Sequence, residues 1–78
     1  MSSVKVNLNS IDKVKSFVNT ISQFDQSFDL ISGRYVINAK SIMGIFSLDL
    51  SQPIELRIQN EEAGDMNEVM EALKPYLV

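Results

Sequence analysis

The sequence predicts an α+β domain, a four-stranded antiparallel sheet with three helices on one face, in the order β-α-β-β-α-β-α. Three observations carry this. Four short runs alternate apolar and polar residues, three stretches space their apolar residues as one helix face does, and the second and third strand runs lie too close for a crossover. Those two strands must form a hairpin. Helices on one face of the sheet bury all three apolar stripes in one core, an open-faced sandwich whose other face is wetter.

Each element has its own signal. From Ser3 to Leu8, Val4, Val6 and Leu8 alternate with Lys5 and Asn7, the period of a half-buried strand. The period then changes. Ile11, Val14, Phe17, Val18, Ile21 and Phe24 fall three or four apart, with Asp12, Lys13, Lys15, Ser16 and Asn19 facing away, so one amphipathic helix follows. Asn9 or Ser10 caps it by accepting from free N–H groups of the first turn, and Asp12 adds favourable negative charge there. Phe28 and Leu30, then Tyr35 and Ile37, are strands around a tight Ser32-Gly33 turn. The run from Lys40 to Leu48 is too apolar all round for a surface strand and too short for a long helix, which predicts a short helix capped by Ser41. Ile45 and Leu48 are its core residues. A two-turn helix cannot bury every side, so Ile42, Met43 and Phe46 either pack in the core or form an exposed apolar patch, with Gly44 letting a partner approach. Beyond the Pro53 loop, Ile54, Leu56 and Ile58 alternate with Glu55 and Arg57 as the fourth strand, and Asn60 to Gly64 is a polar turn. Asp65-Met66-Asn67-Glu68 has the spacing of a capping box, and Met66, Val69, Met70, Leu73 and Leu77 make the buried stripe of the last helix.

Composition narrows function mainly by exclusion. One domain spans residues 1–78, and with neither cysteine nor histidine there are no disulfides, thiolate nucleophiles, imidazole bases or His/Cys metal sites. Ser10, Asp12 and Ser16 cannot make a hydrolase without a base. No enzyme activity and no cofactor are therefore expected. Seven basic residues scattered among ten acids, with a net charge of −3, argue against nucleic-acid and anionic-membrane binding. No apolar run approaches the ~20 residues of a membrane span. The absence of cysteine fits a cytoplasmic protein. The acidic run Glu61, Glu62, Asp65 and Glu68 lacks the ligand spacing of a calcium loop, and a solvated turn accounts for it.

The run Ile37-Asn38-Ala39-Lys40-Ser41-Ile42-Met43-Gly44-Ile45-Phe46-Ser47-Leu48 resembles the regulatory-serine segment of HPr, the small phosphocarrier of the bacterial sugar phosphotransferase system. Phe17 to Asp25 resembles that family's first helix, and the element order is that of the HPr fold. There is one large departure. Where the family carries Gly-Ile-His-Ala-Arg-Pro, this chain has Asn9-Ser10-Ile11-Asp12-Lys13, so that Ser10 stands for the phosphorylated His, Asp12 for the Arg and Lys13 for the Pro. A relay needs a labile nitrogen–phosphorus bond, whereas a serine ester is stable and Asp12 would repel it.

The resemblance therefore implies a regulatory or binding domain of the phosphotransferase system or of carbon catabolite control, similar to the Crh group, which lacks the His and keeps the Ser. Its switch would be phosphorylation of Ser41 by an HPr kinase/phosphorylase, and its partner a catabolite-control repressor meeting Lys40, Ile42, Met43 and Phe46. The plain alternative for Ser41 is an ordinary helix cap. Two other functions stay open: phosphotransfer through another acceptor such as Ser10, or a degenerate domain kept as a structural or dimerising module. The chain is expected to be a monomer or weak homodimer. Incubation with Enzyme I and phosphoenolpyruvate should leave its intact mass unchanged, and a phosphate at Ser10 would restore the phosphotransfer reading.

Overall fold

A computed structural model describes residues 2–78, with strands β1 (Ser2–Val6), β2 (Ser27–Ser32), β3 (Tyr35–Asn38) and β4 (Ile54–Gln59). The helices are α1 (Ile11–Ile21), α2 (Ile42–Ile45) and α3 (Met66–Leu73), and 3-10 turns cover Glu61–Ala63 and Lys74–Tyr76. All strand pairs are antiparallel, in the order β1-β4-β2-β3. The last strand to be made thus lies between the first two. This is the four-stranded open sheet with three helices that the alternation predicts.

Registers place side chains in rows across the sheet. Val4, Leu56, Leu30 and Ile37 form one row, and Phe28 lies opposite Ile58 in the next. These rows face the helices. Leu30, Leu56, Phe28 and Ile58 are buried against Val14, Phe17 and Ile21 of α1, Ile45 of α2, and Val69 and Leu73 of α3 in one cluster. The Tyr76 ring meets Phe17 edge-on at 5.4 Å between centroids, and its hydroxyl bonds the Ser16 hydroxyl, which fastens the C-terminal segment to α1. Alternate residues line the other face in the rows Ser3-Arg57-Asp29-Asn38 and Lys5-Glu55-Ile31-Val36. That face is mostly polar: Ser3 Oγ donates to Glu55 Oε2 (2.8 Å), and Gln59 Nε2 to Asp29 Oδ2 (2.9 Å). The β2–β3 hairpin turns on Gly33 and Arg34, with Gly33 at φ +59°. A two-residue turn opening on glycine matches the right-handed twist of its strands.

Several residues depart from the periodic reading. β1 ends at Val6 because the chain beyond it pairs with the C-terminus: Asn7 N–H donates to the Tyr76 carbonyl (2.8 Å) and Val6 bridges Leu77. Leu8 stays fully buried outside the strand, and Leu77 leaves the helical stripe for that bridge. Ile11 obeys the helical period yet is 62% exposed. Helical side chains lean toward the N-terminus, so a first-turn residue overhangs the core. α1 stops at Ile21, where Gln23 and Phe24 N–H groups turn to the carbonyls of Thr20 and Ile21, and Phe24 packs half-buried from the turn. Leu48, Met66 and Met70 are likewise half-buried against the core. At α3, Asp65 accepts from Asn67 N–H (2.9 Å), and Glu68 is exposed, with no side-chain bond back to Asp65 among the described residues.

The contrast between period and position is testable by urea denaturation. Leu56→Ala, in the central strand, should cost about 2–5 kcal/mol. Ile11→Ala should stay within about 0.5 kcal/mol of the parent. A large loss for Ile11→Ala would mean that the first turn of α1 is covered.

Candidate functional site

The Ser41 segment is built by a reversal after β3. Ser41 N–H donates to the Asn38 carbonyl (3.0 Å) and Lys40 N–H to Asn38 Oδ1 (2.9 Å), which turns the chain off the sheet and into α2. Ser41 is the N-cap, in extended backbone (φ −95°, ψ 101°), and its Oγ accepts from Gly44 N–H at 3.3 Å. The side chain is exposed. The Ile42 and Met43 N–H groups belong to the first turn and have no carbonyl four residues back within the helix.

Because α2 has only four residues, it buries one face alone. Ile45 is fully buried, Ile42 is half-buried, Met43 is 77% exposed and Phe46 40%. Met43 and Phe46 are thus apolar groups held in solvent beside Ser41. Gly44 has an intramolecular use that differs from the expected approach of a partner. A Cβ there would lie 3.3 Å from Ser41 Oγ and 3.4 Å from Ile37 Cδ1, so the missing side chain makes room for the cap and for β3. Lys40 is engaged elsewhere. Its ammonium donates to the Phe24 carbonyl (2.7 Å) and lies 5.6 Å over the Phe28 ring, tying the exit of α1 to the hairpin. The period of the sequence carries no signal for this tie, since it joins residues through their backbone and ring faces.

Ser10 caps a different helix. It is exposed, in extended backbone (φ −145°, ψ 155°), and its Oγ accepts from Lys13 N–H at 3.1 Å. Asp12 is exposed one turn in. Helices α1 and α2 pack against each other, while Lys40, Ser41, Ile42, Met43 and Phe46 all come from the one segment around α2. A surface hollow of about 350 Å³, lined by residues including Lys5, Ile31, Asp49 and Glu55, includes neither Ser10 nor Ser41. The described residues contain no group of three or more acidic side chains placed to hold a metal ion. No helix among them is long and apolar enough to cross a membrane. The arrangement offers two exposed hydroxyls at helix starts and one apolar patch, which suits modification and docking.

A family model described as "PTS HPr component phosphorylation site" matches residues 5–77. This chain belongs to the HPr family. Its fold matches HPr-C-His from Thermoanaerobacter tengcongensis with a TM-score of 0.76 at 28% identity, over 96% of this chain and 89% of that one. It also matches a histidine-containing phosphocarrier protein, described as structural evidence for the divergence of Mycoplasma from Gram-positive bacteria. There the TM-score is 0.68 at 15% identity, over 95% of this chain and 91% of the other, a likeness of fold alone. No curated protein matches the sequence. HPr proteins are phosphocarriers rather than catalysts and work through other proteins of the phosphotransferase system, and this HPr domain carries no histidine.

The two caps differ in length and in the helix they serve, and so should their removal. Ser10→Ala should cost about 1 kcal/mol in urea denaturation, and Ser41→Ala, with the longer bond on a four-residue helix, about 0.5 kcal/mol. Ser41→Ala then remains folded and serves as a control for binding. Equal losses of about 2 kcal/mol would show that Ser41 carries more of the fold than its geometry implies.

Proposed function

We propose that this chain is a regulatory module of the HPr family, of the Crh type, in which phosphorylation of Ser41 switches binding to a catabolite-control repressor. One combination carries the reading: the chain has no histidine to relay phosphate, yet it keeps an exposed Ser41 beside exposed Met43 and Phe46. Ser10 and Asp12 stand at the start of α1, where the family uses His and Arg, and a serine ester there would be too stable to pass its phosphate on. The role left to the domain is to be recognised.

The proposed switch works locally. An HPr kinase transfers the γ-phosphoryl group of ATP to Ser41 Oγ, breaking the bond from the γ-phosphorus to the β–γ bridging oxygen and releasing ADP and the hydroxyl proton, which adds about −1.5 to −2 charges at pH 7. The new oxygens meet first-turn N–H groups of α2, so the fold need not change. The Lys40 ammonium is turned to the Phe24 carbonyl, which leaves the phosphate oxygens open to charge-assisted bonds from a partner's Arg or Lys. Met43 and Phe46 supply apolar contact around it, with methionine adapting to the opposing surface. The switch therefore adds charge to a preformed patch.

Treatment with HPr kinase and ATP should add one phosphate, located at Ser41 by mass spectrometry. The phosphorylated chain should bind a catabolite-control repressor roughly tenfold or more tighter than Ser41→Ala, and Met43→Ala should lose roughly 1–3 kcal/mol of that affinity. If Ser41 stays unmodified, or the modified chain binds no better than Ser41→Ala, the switch is wrong.

A further inference from the structure

We propose that the free edge of β3 is a self-association surface, through which two copies of this chain join their sheets antiparallel about a twofold axis at Val36. The inference is independent of Ser41. β3 ends the sheet order, and it pairs on one side only, with β2. In a two-residue hairpin the pair flanking the turn, Ser32 and Tyr35, exchanges both backbone bonds, and every second pair repeats this. Leu30 and Ile37 form the next such pair, and Ala39 N–H to the Phe28 carbonyl (2.8 Å) continues the series. Alternation then turns the N–H and C=O of Val36, and the N–H of Asn38, away from β2.

Short though it is at four residues, this edge carries no Lys or Pro. Edge strands are commonly blunted by Lys, Pro, a bulge or a covering segment. β1, at the other edge, has Lys5 and is overlain at its end by the C-terminal segment, through the Val6–Leu77 bridge and the Val78 N–H to Lys5 carbonyl bond. β3 reads Tyr35-Val36-Ile37-Asn38, with Tyr35 69% and Val36 59% exposed.

The occupant follows from self-complementarity. With Val36 facing the second copy's Val36, the backbone groups turned outward on both strands meet as a bonded pair. Asn38 N–H then faces the second copy's Arg34 carbonyl, while the Asn38 carbonyl keeps its bond from Ser41 N–H. On the outer face Ile31 and Val36 are already neighbours, and the twofold extends them into a ladder of four apolar side chains. On the helix face Tyr35 falls opposite the second copy's Ile37, an aromatic and β-branched pair of the kind that stabilises sheets. Arg34 falls opposite the second copy's Asn38, one strand from that copy's Asp29, so opposite charges approach. The two Arg34 side chains sit at opposite ends of the junction. So short an edge buries less than the ~1,200 Å² of a standard interface, so the dimer is weak and forms at high protein concentration.

Nuclear magnetic resonance of the unmodified full chain, diluted from millimolar concentration, reads this directly. Amide shifts should move with concentration at Arg34, Val36 and Asn38, and Val36 N–H should gain exchange protection at high concentration. Sedimentation should show a monomer–dimer equilibrium that Val36→Lys, which sets two ammonium groups opposite each other, weakens roughly tenfold. A chain that stays monomeric at millimolar concentration overturns the proposal. So does self-association whose shifts centre on β1 or α2, or an edge that ignores a second copy and pairs only with an added extended peptide. The dilution series decides the matter even if Val36→Lys fails to fold.

Discussion

Everything in this fold depends on β4 finding its place between β1 and β2. Leu56 is opposite Val4 on one side and Leu30 on the other, so one residue joins the two halves of the apolar row that the helices cover. Without β4, β1 has no strand partner, and the hairpin offers a two-stranded ribbon too narrow to seat three helices. The hydrophobic gain comes from closing that row under α1 and α3, and backbone pairing sets which side chains enter it.

The same closure determines what stays outside. α2 has four residues and one fully buried anchor, Ile45, with Ile42 half-buried beside it, so Met43 and the adjoining Phe46 are left at the surface. Gly44 lets it sit close to Ile37 and Ser41, and the Lys40 ammonium braces the preceding turn against the Phe24 carbonyl and the Phe28 ring. A short, well-braced helix with a solvent-facing apolar side is a suitable platform for recognition, because the patch is ordered before any partner arrives.

Local information was legible in the sequence, and non-local information was not. The strands read from alternation, α1 from the spacing of Val14, Phe17 and Ile21, the Ser41 cap from its position just before an apolar run, and the cap of α1 only to within Asn9 or Ser10, of which the structure uses Ser10. Each depends on neighbours a few residues away. Leu8 and Leu77 depart from their periods because the C-terminal segment returns beside Val6, a pairing between the two ends of the chain. Ile11 obeys the helical period yet lies outside the core, because periodicity gives a direction around the helix axis and says nothing of where along the axis the core ends. At the candidate site, the shortness of α2 implies that some of Ile42, Met43 and Phe46 stay outside, but not that Ile42 is the one half-buried against the core. The engagement of Lys40 could not follow, since a backbone carbonyl leaves no mark on residue type. The buried Gln26, whose amide reaches the Glu61 carbonyl at 3.4 Å, is unannounced for the same reason.

The central position of β4 also orders events in time. Ser2 pairs with Ile58, so the loop that this contact closes takes in most of the chain, whereas the β2–β3 hairpin closes across two residues. The entropy of closing a loop grows with its length, and contacts of large sequence separation slow folding. During synthesis the hairpin and α1 can organise as soon as they emerge. β1 must wait until Ile54–Gln59 has left the ribosome, so a nascent chain ending before residue 59 holds an incomplete sheet, and the emergence of β4 becomes the moment at which the domain commits to its structure.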